Sequence, residues 1–310
     1  MTGSAAEIAG VRLTHPDRVF YPDQGLTKRD LVDYYAAVAE RMLPYLAGRP
    51  LGLVRCPRGQ GKPCFFQRHA GSGVPAAIRR VRIAELENGA AADYLAVDDL
   101  AGLLALVQIG VLEIHPWGAR ADDPERPDRL VFDLDPDEGL RRARVVEAAR
   151  EVRDRLAALG LASFVKTTGG KGLHVVLPLA PRRQGWDEAR AFTRAVAEAM
   201  ARDRPSVYTD TAAKASRAGR VFIDYLRNAR GASAIAPYST RARPGAPVAM
   251  PLAWEVLEDE TASGRPAGRF TVTSLPDRLA RLDHDPWAEM HGLRQIITAK
   301  ARRAVGLPVG

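Results

Sequence analysis

Leu130-Val-Phe-Asp-Leu-Asp-Pro136 constrains this chain more than any other segment. Three apolar residues open a buried strand, and two carboxylates then emerge at i and i+2. Side chains alternate along a strand, so Asp133 and Asp135 share a face, with Cα atoms roughly 6.5 Å apart. Carboxylates that close repel unless a proton or a cation lies between them. A divalent ion held by oxygen ligands resolves that repulsion. Pro136 ends the strand and leaves the pair at a sheet end, where loops build sites. Taken alone, Asp-Pro-Asp-Glu-Gly reads equally as a solvated strand-ending turn.

Asp224, in Arg-Val-Phe-Ile-Asp-Tyr-Leu-Arg, lies in an apolar strand where a lone charge is expensive. It is either a core Asp paired with Arg220 or Arg227, or a third ligand for a two-metal phosphoryl-transfer centre with ions roughly 3.5–4 Å apart. A second motif is the hairpin Lys166-Thr-Thr-Gly-Gly-Lys-Gly-Leu-His174. Gly169, Gly170 and Gly172 permit close backbone approach, while Thr167, Thr168 and Lys171 offer donors. Such a nest suits a triphosphate, although a Gly-rich hairpin is also simply a turn. It is not a P-loop, because G-x-x-x-x-G-K-[ST] is absent. His174 opens the next strand, to contact a phosphate or metal-side oxygens or to serve the core.

Weaker signals surround these. His115 in Glu-Ile-His-Pro-Trp-Gly ends a strand, to position a base or sugar or to cap the strand. Phe65 and Phe66 place aromatics on both faces of a strand, one for the core and one as a stacking platform worth ~1–3 kcal/mol per base. Arg227 and Arg241 flank the last acidic strand and suit bidentate phosphate contacts or surface salt bridges. Arg18 and Lys28 bracket a Tyr-Pro-Asp-Gln-Gly turn, where they grip a terminal phosphate or are solvated.

Organisation follows from punctuation and periodicity. Thr27-Lys28-Arg29-Asp30 forms a capping box, after which Leu31, Tyr35, Val38, Met42 and Leu46 recur at helical spacing. Short β-like runs follow (LGLVRC, CFFQRH, IRRVRI, DYLAV), then a buried helix capped by Asp in DDLAGLLALVQIG. LEIHPWGA and RLVFDLDP read as strands, Gly139 to Leu159 and Trp186 to Arg202 as helices, and RVFIDYL as another strand. Strands mixed with hairpins and helices imply an α/β fold of α+β, mixed-sheet type rather than a doubly wound parallel one. One lobe extends to about residue 115 and a catalytic lobe covers 116–310, together making one domain. His284 to Gly310 reads as a helix ending in a basic tail.

Charge is less decisive. The 310 residues carry a net +8, with 39 Arg against 6 Lys. Arginine is the better fork for phosphates, yet the excess also fits genomic base bias. No run of about 18 apolar residues predicts a membrane span, and the N-terminus does not resemble a secretory signal. A cytoplasmic, nucleoid-associated protein is the expectation. Cys56 and Cys64, with no usual zinc spacing, are expected as two reduced, partly buried thiols.

Together the motifs resemble the polymerase domain of bacterial ligase D, in the archaeo-eukaryotic primase superfamily. The matching blocks are LTHPDRVFYPDQGLTKRDLVDYY, FFQRHAG, EIHPWGA, VFDLDP, KTTGGKGLHVVLPL, VFIDYLRN and APYSTRARPGAPVAMPL, in order from about residue 11 to 255. The resemblance implies a primase-like catalytic core with an N-terminal α/β lobe. It makes Asp133, Asp135 and Asp224 carboxylates for two divalent ions, Mn²⁺ or Mg²⁺. Thr168, Lys171 and His174 would hold the triphosphate of an incoming NTP or dNTP, with Arg227 and Arg241 nearby. Phe65 and Phe66 would stack near bases, His115 would approach the sugar, and Arg18 and Lys28 would bind the 5′-phosphate of a DNA end or gap. It implies nucleotide addition, with ribonucleotides preferred, to 3′-hydroxyl ends in non-homologous end joining, beside a Ku-like protein and a DNA ligase.

Two positions depart from the family pattern. Thr168 stands where Ser is frequent, and Arg18 where Lys is common; hydroxyl and charge are kept. No Lys-x-Asp-Gly adenylation motif occurs, so a ligase module is not expected within this chain. Two rivals remain. A haloacid-dehalogenase-type phosphatase also opens on an apolar strand with DxD, but Pro136-Asp137 departs from its continuation. A catalytically inactive DNA-end-binding adaptor would keep the basic surface without the chemistry.

Overall fold

The computed structural model describes residues 6–85, 89–263, 270–282 and 284–308. The chain divides into two compact units. The first takes the described residues up to Trp117 together with Ile235–Ala249 and those of Arg269–Asp283. The second takes Gly118–Ala234 and the described residues of Met250–Gly268 and His284–Gly310.

In the first unit, helix α1 (Lys28–Leu46) starts where the capping box satisfies its first amides. The Thr27 amide donates to Asp30 at 2.7 Å, and the Asp30 amide donates back to the Thr27 hydroxyl at 3.2 Å. Leu31, Tyr35, Val38, Met42 and Leu46 are all buried, as the helical period demands. An antiparallel sheet follows, of β1 (Leu51–Arg55), β2 (Phe65–Gln67), β3 (Arg79–Ala84), β4 (Ala91–Ala96) and β5 (Val111–Pro116). β1 pairs with β5 on one edge and with β2 and β4 on the other, and β3 lies beyond β4. Helix α2 (Leu100–Gln108), capped by the Asp99 carboxylate on the Gly102 amide at 2.8 Å, packs on α1.

The lobe expected to end near residue 115 thus also includes a later segment, 235–249. Buried hydroxyls hold it there. Tyr34 donates to the Tyr238 carbonyl at 2.7 Å, and the Ser239 hydroxyl accepts from the Ile114 amide at 2.9 Å. The Tyr35 hydroxyl lies 3.0 Å from that of Thr240. Buried polar groups are tolerated because each finds a partner.

Cys56 and Cys64 form a disulfide, not the two free thiols expected. The glycines between them explain the closure. Gly59 and Gly61 adopt φ of 90° and 81°, folding the loop so that the two Cα atoms lie 4.4 Å apart.

The second unit is built on a six-stranded sheet of β6 (Arg129–Pro136), β7 (Phe164–Thr167), β8 (Leu173–Pro178), β9 (Tyr208–Thr209), β10 (Val221–Asp224) and β11 (Pro251–Leu252). Their spatial order is β9-β10-β6-β8-β7-β11, antiparallel except for β9 with β10. Helix α3 (Arg142–Ala158) packs on β6 and β8, and α4 (Trp186–Asp203) on β9. Mixed pairing with helices is the α+β arrangement expected from the order of elements.

The C-terminal stretch is not the single helix its composition suggests. Its described part holds a short 3₁₀ turn at Ala288–His291 and a short helix at Ala299–Ala304. Between them Gln295 runs extended against the sheet ends, with its amide nitrogen donating to the Ala162 and Pro178 carbonyls at 2.8 Å each. Backbone pairing with Ala180 competes with helix formation there, and wins.

Candidate active site

The carboxylates of the second unit meet through strand register. Asp133 in β6 stands opposite Asp224 in β10 on one side and opposite His174 in β8 on the other. His174 in turn stands opposite Lys166 in β7. Directly opposed residues lie on the same face, so Asp224, Asp133, His174 and Lys166 form one row across four strands. Asp135, two residues along β6, shares the face of Asp133.

Cationic side chains compensate this row. The Arg227 guanidinium lies 3.4 Å from Asp133 and 3.5 Å from Asp224 and bridges them. Arg217 donates to Asp135 at 2.9 Å while its guanidinium stacks over Phe222. His174 Nε2 is 3.3 Å from Asp133, and its Nδ1 is buried with no hydrogen-bond partner among the described residues. Burial pushes the Asp133 carboxyl up, but His174, Arg227 and Lys166 outweigh it and hold the group well below the usual carboxylate range. Burial, with Lys166 charge beside it, pushes the His174 imidazole down to about 4, so the ring is neutral at pH 7. Burial raises the Asp224 carboxyl, with Arg227 opposing.

Local contacts aim these groups. The Asn228 side chain accepts from the Val131 amide at 2.7 Å and donates to its carbonyl at 2.8 Å, so it prolongs the ladder after β10 ends. That pins the segment carrying Arg227 beside β6. In the hairpin, the Thr168 hydroxyl donates to the Gly172 carbonyl at 3.1 Å and accepts from the Gly170 amide at 3.3 Å. Thr167 is tied to Met250 in both directions at 2.9 Å. Two of the donors expected to form a phosphate nest thus organise the turn itself. Lys171 is exposed, with Nζ on the Glu138 carbonyl at 3.1 Å.

The remaining sequence candidates lie in the first unit. Phe65 and Phe66 are both exposed, at 49% and 48%, so neither enters the core as expected. They sit on a three-residue edge strand, and arginines rather than aliphatics flank them. Arg55 lies over the Phe65 ring and Arg68 over Phe66. His115 meets Phe66 edge-on at 6.1 Å and is 2.8 Å from the Glu113 carboxylate. Arg241 is paired with the same Glu113 at 3.0 Å, inside the unit rather than as a surface salt bridge. Arg18 is exposed, whereas Lys28 is buried, with Nζ on the Thr14 carbonyl at 2.7 Å and on Gln108.

Among the described residues, no three acidic, imidazole or thiol groups already converge on one point as a metal centre. What is present is a hard, all-oxygen donor set on one face, balanced by arginines. That set suits Mg²⁺ or Mn²⁺ rather than a soft ion.

The family model described as the LigD primase-polymerase domain matches residues 27–287. The chain belongs to this family. It is 41% identical, over 98% of its length, to the multifunctional non-homologous end joining protein LigD of Pseudomonas aeruginosa, of which it covers 35%. Over 83% of its length it is 40% identical to the multifunctional non-homologous end joining DNA repair protein LigD of Mycobacterium tuberculosis, covering 34% of it. The chain therefore spans about a third of the length of these relatives. The solved polymerase domain from Mycobacterium tuberculosis ligase D, in complex with DNA, matches with a TM-score of 0.83 and 35% identity. That match covers 92% of this chain and 99% of the other.

The site geometry brings in residues that the motifs alone passed over. Lys166 was visible only as the first letter of a hairpin, and Arg217 lies outside every quoted block. Glu113 stands inside EIHPWGA, two residues before His115, where strand alternation already places both on one face.

Proposed function

We propose that this chain adds nucleotides, with ribonucleotides preferred, to 3′-hydroxyls at DNA ends and short gaps in double-strand-break repair by non-homologous end joining. The observation that carries this is the common face of Asp133, Asp135 and Asp224 in a chain of this family. Those three would hold two divalent ions once the half-exposed Arg227 and Arg217 turn aside toward phosphate oxygens. When bound, such ions supply activation of the 3′-hydroxyl and neutralisation of charge on the leaving pyrophosphate. No protein nucleophile is needed.

The side chains divide the remaining work. Thr168, Lys171 and His174, with Arg227 and Arg241, bind the triphosphate. Phe65 and Phe66 stack on bases, and His115 meets the sugar. Arg18 and Lys28 bind the 5′-phosphate across the gap. A Ku-like end-binding protein and a DNA ligase are the partners this work calls for, in the cytoplasm at the nucleoid. Among the described residues no helix is long and apolar enough to cross a membrane.

Labelled gapped DNA with a 5′-phosphate tests the reading, offered each NTP and dNTP with Mn²⁺ or Mg²⁺ and then with chelator. Metal-dependent incorporation, strongest with ribonucleotides and lost on chelation, is expected. DNA binding without incorporation would return the adaptor, and hydrolysis of a simple phosphate ester without DNA would return the phosphatase.

Lys28 adds a pH dependence. Burial, then the neighbouring Arg18 charge, pushes its ammonium down to about 8. Its positive charge is therefore present below pH 8 and lost above it. A 5′-phosphate, with a second pKa near 6, stays dianionic throughout. The preference for 5′-phosphorylated over 5′-hydroxyl gaps should fall several-fold, by about one charge–phosphate contact, between pH 7 and 9. A flat preference in competition binding at fixed salt would remove Lys28 from the end site.

A further inference from the structure

We propose that Glu113 is the positioning residue that sets His115 and Arg241 together for the nucleotide, so that sugar selection and phosphate binding are coupled through one carboxylate. The inference rests on the nucleotide-binding roles given above to those two residues. It adds a residue that contacts neither sugar nor phosphate in that reading.

Three groups converge on Glu113, the imidazole and an amide through hydrogen bonds and the guanidinium as an ion pair. His115 Nε2 lies 2.8 Å from Oε2, Arg241 Nε 3.0 Å from Oε1, and the Ala242 amide donates to Oε1 at 2.9 Å. The residue is only 7% exposed, where an unpaired carboxylate would be costly. Burial pushes its carboxyl up, but His115, Arg241 and the Ala242 amide bring it down to about 2, so it stays ionised. Neutralising Arg241 alone would occupy one oxygen. Here the second oxygen holds the imidazole, which also meets Phe66.

The elements behind the cluster are rigid. β5 supplies Glu113 and His115 from adjacent same-face positions. Arg241 follows Thr240, whose hydroxyl is bound to Leu112 and lies against Tyr35, and the Arg241 carbonyl accepts from Tyr21 at 2.8 Å. Catalytic constellations need such a supporting shell to hold their geometry. Within the join that those hydroxyls make, Glu113 is the side chain that pairs the imidazole of one segment with the guanidinium of the other.

Glu113→Gln keeps the volume and removes the charge. Its amide nitrogen must then face either the imidazole or the guanidinium, donor against donor, and one of the two swings away. The test measures KM and kcat for ATP and dATP opposite a single-nucleotide gap, in wild type, E113Q, H115A and the double variant, with Tm alongside. Losing one charge-assisted hydrogen bond should raise the ATP KM about tenfold or more. A smaller change in kcat, a narrowed ATP/dATP ratio, and a double variant no less selective than H115A are also expected.

A purely structural Glu113 would lower Tm and the active fraction while leaving KM and the ratio unchanged. That result, or additivity with H115A, overturns the proposal. Should E113Q not fold, Arg241→Lys keeps the carboxylate paired but removes the guanidinium Nε. The ATP/dATP ratio should fall with it, and an unchanged ratio overturns the coupling. A wild-type chain that incorporates nothing overturns the polymerase reading and this inference together. Wild-type incorporation with an unaltered ratio in E113Q overturns the inference alone.

Discussion

Asp135→Ala should abolish nucleotide addition, by about 10³-fold or more, while leaving DNA-end binding intact. Asp135 makes the cleaner experiment of the β6 pair because its side chain is 55% exposed and pairs with the surface guanidinium of Arg217. Losing such a surface ion pair costs about 0–1 kcal/mol, so the fold should be indifferent to the change. Asp133→Ala should be equally inactive but less stable. It would leave His174, Arg227 and Lys166 facing one another across the row with their shared carboxylate gone. Asp133→Asn, which keeps the shape, separates the two effects. Neither change removes a positive charge, so gapped-DNA affinity should hold or rise slightly. Retained primer extension by the Asp135 variant, read on a sequencing gel with Mn²⁺ present, would sink the assignment of these carboxylates.

Gly172→Ala is expected to do damage of a different kind. A Cβ at this position would lie 2.6 Å from the Leu134 carbonyl oxygen, between the two carboxylates of β6. That oxygen belongs to the central strand of the sheet and cannot yield. Relief must come from the hairpin, at an overpacking cost of about 1–3 kcal/mol. Displacing by about 1 Å the loop that bears Thr168 and Lys171 should lower incorporation by about 10²-fold, chiefly through a higher nucleotide KM. Gly160→Ala provides the control. That residue has φ of 77° with nothing within 4 Å of a new Cβ. It should cost about 1–2 kcal/mol of left-handed strain and leave incorporation per folded molecule unchanged. Equal activity of Gly172→Ala and wild type would show that the hairpin is not set by its contact with Leu134.

These two cases mark what kind of information each level holds. The DxD pair was legible because alternation is a property of the backbone, independent of what the strand pairs with. The helix start at Thr27 was legible for the same reason: both capping bonds lie within four residues. So were the helices at Arg142–Ala158 and Trp186–Asp203, whose apolar residues recur at the period of a single helix face. At other positions a partner from elsewhere in the chain decided. One of Phe65 and Phe66 is expected in the core from alternation alone, which does not show that their strand is a short edge. The closing stretch looked helical until backbone pairing at Ala180 claimed it. The thiols looked free because the left-handed glycines that bring them together carry no signal in cysteine spacing.

By itself, then, the sequence determined the local periods, the caps, the turns and the presence of a same-face carboxylate pair, because each depends on residues a few positions apart. Only the tertiary structure decided that Asp224, His174 and Lys166 stand in one row with Asp133. It also decided that Glu113 faces Arg241, and that Gly172 must lack a side chain beneath Leu134. The row follows from strand order and antiparallel register, and register is set by burial of whole faces rather than by any short run of residues; the Glu113 pair follows from the hydroxyl contacts that hold residues 239–240 against β5.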